Sequence, residues 1–329
     1  MHEIAKDKMK ALLKYEQMAL LLSLIGLCII STIISPVFLS VNNLMNVLRT
    51  ASLTAICAMG YMFVILLGEM DLSVGSMQAV VGIVSVMILN FTKNVPAALL
   101  GGIIAGAVLG CINGLLVTKA GINSLIASLG TMAILRGSAY IITNGISIQA
   151  NIPGFEVLGT GTGYVGPFPI PFLIAVVIFA ALYFVLNKTV FGRNIYAVGG
   201  NNSAARLCGI NVGRIKMAAY IIVGVLTALS GYILACRLNS AQPNAGDGFE
   251  FQVISAVVLG GVSLSGGKGN LTGAVIGVLI LSVLSNVLVL AGVSSFYQEV
   301  SRGIVILLAV YIDSRNKRMA EKKILIGKK

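Results

Sequence analysis

The sequence is poor in charge and contains no tryptophan. Only 10% of its 329 residues are Asp, Glu, Lys or Arg, whereas 57% are hydrophobic. A soluble domain of this length needs far more charged side chains to cover its surface, so a water-soluble globular protein is excluded. Without tryptophan, any aromatic belt at a membrane surface has to be built from the 10 Tyr and 12 Phe.

Metal-binding side chains are also scarce. His2 is the only histidine, and the five cysteines form no CxxC pair. A zinc site needs a cluster of such ligands, so we predict no metal site. Four cysteines lie in apolar stretches and Cys208 lies in a basic loop, which favours buried free thiols.

No segment matches the phosphate-binding loop of an ATPase. The nearest candidate, residues 264–269, has Gly269 after Lys268, where a magnesium-binding Ser or Thr is required. A nucleophile elbow and a histidine relay are absent as well. We therefore predict that the chain is not an enzyme, binds no cofactor itself and relies on a separate protein for any use of ATP.

The formal net charge of +12 does not indicate nucleic-acid binding, because of where the charges lie. They cluster at both termini and in one central loop, between long apolar blocks. Basic loops beside apolar spans determine how a protein is oriented in a membrane. The distribution therefore predicts that the chain associates with a lipid membrane and not with nucleic acid.

Ten apolar blocks predict an all-α, polytopic membrane protein with a single transmembrane domain over residues 1–329. A helix needs about 20 apolar residues to cross the bilayer core. The blocks fall at residues 17–34, 47–67, 74–90, 97–117, 122–142, 169–186, 217–236, 252–264, 271–291 and 296–312.

The distribution of Lys and Arg gives the predicted orientation. Ten crossings place both termini on one side, and that side carries 18 Lys and Arg, mostly in residues 1–16, 187–216 and 313–329. The other side carries two, Lys93 and Arg237. Because positive loops stay inside, we predict that both termini, the loop 188–216 and the tail 313–329 are cytoplasmic.

The block 252–264 is short for a span, which favours a re-entrant or broken helix. A re-entrant loop would leave the basic C-terminus outside, so the charge favours a crossing. Irregular backbone is tolerated at membrane depth only where protein covers it or where it lines a cavity. Such backbone is indicated by the flanking glycines Gly246, Gly248, Gly260, Gly261, Gly266 and Gly267.

Two further patterns involve glycine. Residues 102–114 place a glycine at every fourth position, so that one helix face lets another backbone approach closely. Packing inside the bundle is the favoured interpretation, and a dimer seam is the alternative. Residues 67–75 also match residues 259–267 at five of nine positions. Duplicated halves with broken helices at matching positions are typical of transporters.

Glu69 and Asp71 lie between two apolar blocks. Charges at membrane depth face a cavity or a partner. The favoured interpretation is capping or structural pairing: negative charge is favourable at a helix N-terminus, and Asp71 and Ser73 are placed to hold the start of the following span. Pathway lining and proton coupling are the alternatives. Arg136 lies inside a predicted span, and we expect it to snorkel or to form a structural pair with Glu69 or Asp71.

The loop 188–216 is the most soluble-looking segment. Asn201 or Asn202 can cap a helix by accepting its free N–H groups, and Gly209 is placed to end it. The result is a two-turn helix that is too short to be stable alone. A docking helix held between membrane and partner is one interpretation, and an ordinary connecting loop is the other.

A set of motifs recurs from this loop over nearly the whole chain: Gly192-Arg193, residues 196–201, Ala204-Ala205-Arg206, Gly209-Ile210, residues 237–243, Gly246, Gly248, Glu250, residues 256–261, Ser263-Leu264, residues 266–269 and residues 71–76. Together they resemble ribose-type ABC permeases, and those of the loop resemble the coupling region of that family. Two places depart from the family pattern: Glu69-Met70 replace a small residue and Ile, and relatives often have an acidic residue near Gln252.

The resemblance implies a permease subunit of the bacterial inner membrane, with a fold like that of type II ABC importers. Two permease copies, a homodimer or a pair with a homologue, would form the path for a monosaccharide, with ribose as the first candidate. An extracytoplasmic sugar-binding protein would deliver the sugar. A separate ATP-binding-cassette ATPase, which uses ATP and Mg, would dock on Gly199, Gly200, Asn201, Ala204, Ala205, Arg206 and Gly209.

A sugar needs hydrogen-bonding groups and a flat apolar face. Helix packing is the commoner role of such residues. Rival functions are an ion-coupled secondary transporter that uses Glu69 and Asp71, a permease for another small sugar such as a furanose-like signalling molecule, and a membrane scaffold. Our candidates for the translocation path are Glu69, Asp71, Ser73, Asn113, Gln252, Phe249 and Phe251.

Overall fold

The computed structural model describes residues 16–159, 163–165 and 168–294, with scattered residues between 296 and 311. Short antiparallel strand pairs join β1 (Ile148–Gln149) to β4 (Ser240–Ala241) and β2 (Tyr164–Val165) to β3 (Phe168–Pro169). The α-helices in this part of the chain are α1 (Glu16–Ile34), α2 (Val41–Leu66), α3 (Val74–Thr92), α4 (Val95–Thr118), α5 (Ser124–Thr143), α6 (Ile170–Lys188), α7 (Val190–Gly200), α8 (Asn202–Leu207), α9 (Val212–Leu238), α10 (Phe249–Leu259) and α11 (Leu271–Leu290).

The helices confirm the all-α membrane fold. Eight of them are long and apolar enough to cross a bilayer, and they coincide with eight of the ten predicted blocks. The block 252–264 overlaps only the 11-residue helix α10, which begins at Phe249 and ends at Leu259. The predicted tenth span, 296–312, is described only at scattered positions, nine of its 17 residues. The tail 313–329 lies outside them entirely.

Polar caps begin many of the helices. In each case an Asn, Ser or Thr side chain accepts a hydrogen bond from a backbone N–H of the first turn, and such a cap stabilises a helix by about 1 kcal/mol. Asparagine caps therefore mark where apolar helices begin. The capping residues are Ser40, Asn94, Asn123, Thr189, Asn201, Asn211 and Asn270.

The centre of the bundle is α2, whose residues 51–66 are buried without interruption. It packs antiparallel to α9, because Ser230 Oγ donates to the Leu53 carbonyl oxygen at 2.9 Å and Gly60 lies against Val223 and Leu226. By contrast, α1 packs on one side against α11, and Ser31 is the only fully buried residue among its described side chains. Its apolar side chains are suited to contact with lipid.

The glycine ladder packs inside the chain, as predicted. A Cβ on Gly106 or Gly110 would overlap the backbone carbonyl of Gly224 or Tyr220 in α9. The absent side chains thus bring α4 and α9 into backbone contact, which is how small residues drive association of membrane helices.

The chain between α9 and α11 is a broken crossing, which confirms that expectation. Its helix α10 is about 16 Å long, half of the roughly 30 Å hydrocarbon core. The Gly267 N–H nevertheless reaches the Leu66 carbonyl oxygen at 2.8 Å. Because α2 and α9 are antiparallel, Leu66 and Leu238 lie at opposite ends of the bundle. Residues 239–267 therefore cross the bundle. The first part of this crossing, residues 239–248, contains no α-helix.

Candidate functional site

A buried polar cluster connects α2 to α3. Asp71 is fully buried, and its Oδ1 accepts hydrogen bonds from the backbone N–H (2.9 Å) and the hydroxyl (2.6 Å) of Ser73. The Asn113 amide on α4 donates to both Asp71 carboxylate oxygens at 3.2 Å and to Ser73 Oγ at 2.8 Å. The structure thus brings together three of the predicted path residues.

The Asp71 carboxyl lies in the connection between two spans. Burial raises its pKa, and the hydrogen bonds from Ser73 and Asn113 act in the opposite direction. Because every one of these bonds is donated to the carboxylate, the geometry suits a structural anion that holds the start of α3.

Glu69 belongs to a different contact, although only one residue separates it from Asp71. It forms an ion pair with Lys216 on α9, and both side chains are mostly buried. Sequence reasoning missed Lys216 as a partner, because it stands among other basic residues of the loop 188–216. The predicted acidic pair is therefore divided between two separate networks.

Arg136 does not pair with Asp71 or Glu69, which corrects that expectation. Its guanidinium on α5 donates to the carbonyl oxygens of Pro243 (2.7 Å) and Ala245 (2.8 Å). These carbonyls belong to the non-helical half of the broken crossing and have no helical partner. The role is structural, as predicted, but the acceptor is backbone that sequence alone could not identify.

The remaining path candidates lie on α10. Gln252 Nε2 is 3.4 Å from Thr54 Oγ1 on α2, Phe249 packs against the core, and Phe251 is 49% exposed. The described contacts do not join these three residues to the Asp71 cluster. Closer to it is Glu250, which sequence reasoning quoted only as part of a motif and which is 5% exposed.

Glu250 and the start of α3 meet at a glycine. A Cβ on Gly75 would overlap both the Gly246 carbonyl oxygen and Glu250 Oε2. The backbone of α3, two residues after Ser73, therefore touches the start of α10. The sequence signal for its importance was its place in the shared motif with Gly246 and Gly248.

The loop 188–216 folds as predicted, with one addition. Asn201 Oδ1 accepts the Ala204 N–H at 3.0 Å and begins α8, and Gly209 follows that helix with a positive φ of 80°. The side chains of Arg206 and Leu207 are exposed, whereas Ala205 is buried. The addition is α7, an 11-residue helix that ends with Gly199 and Gly200.

The two copies of the internal repeat lie against each other. The Gly267 N–H, in the second copy, donates to the carbonyl oxygen of Leu66, which directly precedes the first copy. A Cβ on Gly266 would stand 2.7 Å from the Gly68 nitrogen. The two similar segments are thus in direct backbone contact.

A separate cavity of about 210 Å³ lies between α2, α6 and α11. Its lining is apolar except for Ser52 and Thr272, and none of the predicted path residues contributes to it. Since a sugar requires several hydrogen-bonding groups, this cavity is not a sugar site.

The five cysteines are free thiols. Cys57 and Cys236 are buried, and Cys28 and Cys111 are partly buried. Cys208 at the end of α8 is exposed, so burial was the wrong expectation for that residue. Within the described ranges, no three His, Cys, Asp or Glu side chains come together as metal ligands would.

The interrupted crossing, the buried polar cluster and the eight spans define the class: an all-α, multi-pass membrane transport protein. Residues 43–310 match the family described as "Branched-chain amino acid transport system / permease component", and the chain belongs to this family. It is therefore a permease component rather than an enzyme. No solved structure matches the chain.

Curated relatives cover nearly the whole chain. Ribose import permease protein RbsC of Escherichia coli K12 is 42% identical over 308 residues, which cover 92% of this chain and 94% of the relative. RbsC of Bacillus subtilis 168 is 46% identical over 295 residues, 89% of this chain and 91% of the relative. The L-arabinose ABC transporter permease protein AraH of Azospirillum brasilense is 40% identical over 289 residues, 87% and 85% respectively. The resemblance inferred from the motifs is thus confirmed.

Proposed function

We propose that this chain is the membrane-spanning permease subunit of an ABC importer that carries a monosaccharide, with ribose as the substrate. The observation that carries the proposal is the 46% identity over 295 residues to a ribose import permease. Relatives named for L-arabinose are 38% and 40% identical. Ribose and L-arabinose are both pentoses, so the names of these relatives agree on a pentose as the substrate. L-arabinose is the second candidate.

The orientation follows from charge and contacts together. The end of the bundle that holds Leu66, Gly267 and α8 also holds the basic loop 188–216. Positive loops stay in the cytoplasm. Both termini therefore lie in the cytoplasm of a bacterial cell, and the single domain 1–329 spans its inner membrane.

Docking of the ATPase takes place on α8. A capped two-turn helix with exposed Arg206 and Leu207 offers one cation and one large apolar side chain to a partner. The other proposed docking residues lie within α8 or directly beside it: Gly199, Gly200, Asn201, Ala204, Ala205 and Gly209. The ATPase uses ATP and Mg, and the sugar-binding protein docks at the opposite end of the bundle. A second copy of the permease completes the path.

The broken crossing lines the path for the sugar. Irregular backbone at membrane depth is found where it lines a cavity, and half-helices carry the substrate sites of many transporters. On α10, Gln252 supplies an amide, and Phe249 and Phe251 supply flat faces. The Asp71, Ser73 and Asn113 cluster supports the opposing start of α3.

Ion coupling is less well supported than ATP coupling. The Glu69 carboxylate is paired with Lys216, and the Asp71 carboxylate is occupied by Ser73 and Asn113. A carboxylate that carries a coupling proton has to be free to exchange it. Neither carboxylate has this freedom in the structure.

The test is uptake of labelled ribose by proteoliposomes that contain the permease, its ATPase and its binding protein. We expect uptake that requires internal ATP, persists with a protonophore, and is competed by ribose more strongly than by L-arabinose. Uptake that a protonophore abolishes while ATP remains high would overturn the proposal. Preferential competition by L-arabinose would retain the importer but replace its substrate.

A further inference from the structure

Three backbone segments meet at the cytoplasmic end of the bundle. They are the end of α2 with the first repeat copy (residues 66–68), the end of the second repeat copy (residues 266–267), and the end of α7 (residues 199–200). We call this meeting point the glycine junction. Its central bond is donated by the Gly267 N–H to the Leu66 carbonyl oxygen at 2.8 Å.

The glycine junction leaves no room for side chains. A Cβ on Gly199 would overlap the Leu66 carbonyl oxygen and stand 2.7 Å from the Gly267 nitrogen. A Cβ on Gly266 would stand 2.9 Å from the Leu66 carbonyl oxygen, and one on Gly267 would stand 2.8 Å from Gly200 Cα. These separations are shorter than real Cβ contacts, so the three segments touch backbone to backbone.

The junction is tied to both neighbouring helices of the loop 188–216. On one side, the Tyr196 hydroxyl of α7 donates to the Gly269 carbonyl oxygen at 2.9 Å. On the other side, Lys216 at the start of α9 forms its ion pair with Glu69. The segment before α8 therefore contacts the end of the second repeat copy, through Gly199 against Gly267, and the chain just after it, whereas the segment after α8 contacts the first copy.

Each repeat copy leads to a different part of the transport machinery. The first copy contains Asp71 and Ser73 and runs into α3. The second copy directly follows α10, which carries Gln252. A displacement of α7 at the junction would therefore reach both sides of the proposed path. Because close-packed backbone has no flexible side chain to absorb such a displacement, the contact transmits it.

We propose that the glycine junction passes the movement of the docked ATPase to both repeat copies at once, with Gly199 and Tyr196 as positioning residues. This inference rests on the proposed function. Simple structural packing is the competing explanation, and spatial contact alone does not separate the two. A measurement of how strongly the loaded binding protein stimulates the ATPase does separate them.

The experiment uses the whole importer in proteoliposomes and the variant Gly199→Ala. Its readouts are ribose uptake, ATP hydrolysis with and without ribose-loaded binding protein, and copurification of the ATPase. Because Gly199 is one of the proposed docking residues, ATP hydrolysis and uptake are compared per molecule of copurified ATPase. Stimulation by the loaded binding protein should fall roughly fivefold or more, together with uptake, as expected for the loss of an allosteric coupling.

The control is Gly213→Ala, at the start of α9 and at the same end of the bundle. A Cβ there would make only an ordinary contact, 3.6 Å from Asn211 Oδ1. We expect wild-type stimulation and uptake from this variant. Equal stimulation in Gly199→Ala and Gly213→Ala would overturn the inference.

Tyr196→Phe covers the case in which Gly199→Ala does not fold. It removes the hydrogen bond to Gly269 without adding volume. We expect it to lower stimulation while the melting temperature and the copurified ATPase stay near those of the wild type. Full stimulation in Tyr196→Phe would also contradict the inference. A wild-type importer with no ATP-driven ribose uptake would instead refute the proposed function, so the two failures are distinguishable.

Discussion

The guanidinium of Arg136 donates a 2.7 Å hydrogen bond to the carbonyl oxygen of Pro243, a residue 107 positions further along the chain. The same nitrogen also donates to the Ala245 carbonyl oxygen at 2.8 Å. One cation on α5 thus satisfies two carbonyls that the broken crossing leaves outside any helix. Unsatisfied backbone groups at membrane depth cost several kcal/mol each, which explains a charge within a span.

Arg136→Met should destabilise this half of the crossing. The methionine keeps an apolar side chain but leaves the Pro243 and Ala245 carbonyl oxygens without their donor. A hydrogen bond to a charged group contributes about 1.5–3 kcal/mol to stability. We expect a lower melting temperature in detergent and reduced ribose uptake. Arg136→Lys should recover part of both, since an ammonium can also donate. Lys119→Met, at an exposed position, is the control for loss of a cation. An unchanged melting temperature in Arg136→Met would contradict this role.

The Glu69–Lys216 pair should behave as a coupled unit. Lys216→Met leaves a mostly buried carboxylate without its partner, and breaking such a pair costs on the order of 3 kcal/mol. Adding Glu69→Gln removes the stranded charge, so the double variant should be more stable than Lys216→Met alone. Melting of the four proteins of the double-mutant cycle measures this recovery. Strictly additive effects would show that the two side chains do not interact.

The glycine ladder should tolerate no large side chain. Gly110→Leu would force α4 away from the Tyr220 carbonyl of α9, and overpacking a tight interface costs about 1–3 kcal/mol or more. We expect less folded protein in detergent, as measured by size-exclusion chromatography. Gly130→Leu on α5 is the matched control, because a Cβ there has open space around it. Similar yields of the two variants would argue against the packing role.

Arg206→Glu should uncouple transport without reducing the amount of protein in the membrane. The exposed Arg206 lies on α8, and reversal of its charge would repel an acidic surface of the ATPase. We expect lower ribose uptake and less copurified ATPase. Arg214→Glu makes the same change at an exposed position at the start of α9. Normal ATP-driven uptake by Arg206→Glu would count against docking on α8.

The spans could be predicted from the sequence because hydropathy over 20 residues is a strong and local signal. The same holds for α8, since Asn201 and Gly209 are local start and stop signals. By contrast, α7 was missed because its two terminal glycines favour a loop in isolation. The partners of Arg136 and Glu69 lie more than 100 residues away, so only the packing of the helices determines them.

The broken crossing also constrains the order in which the chain can fold during synthesis. Residues 239–248 have no α-helix of their own, and three of their contacts are with earlier parts of the chain: Arg136, the strand β1 and the start of α3. All of these partners precede them in the chain and so leave the ribosome first. These partners are therefore available when the segment enters the bilayer, so that its backbone can be covered by protein and not by lipid from the moment of insertion.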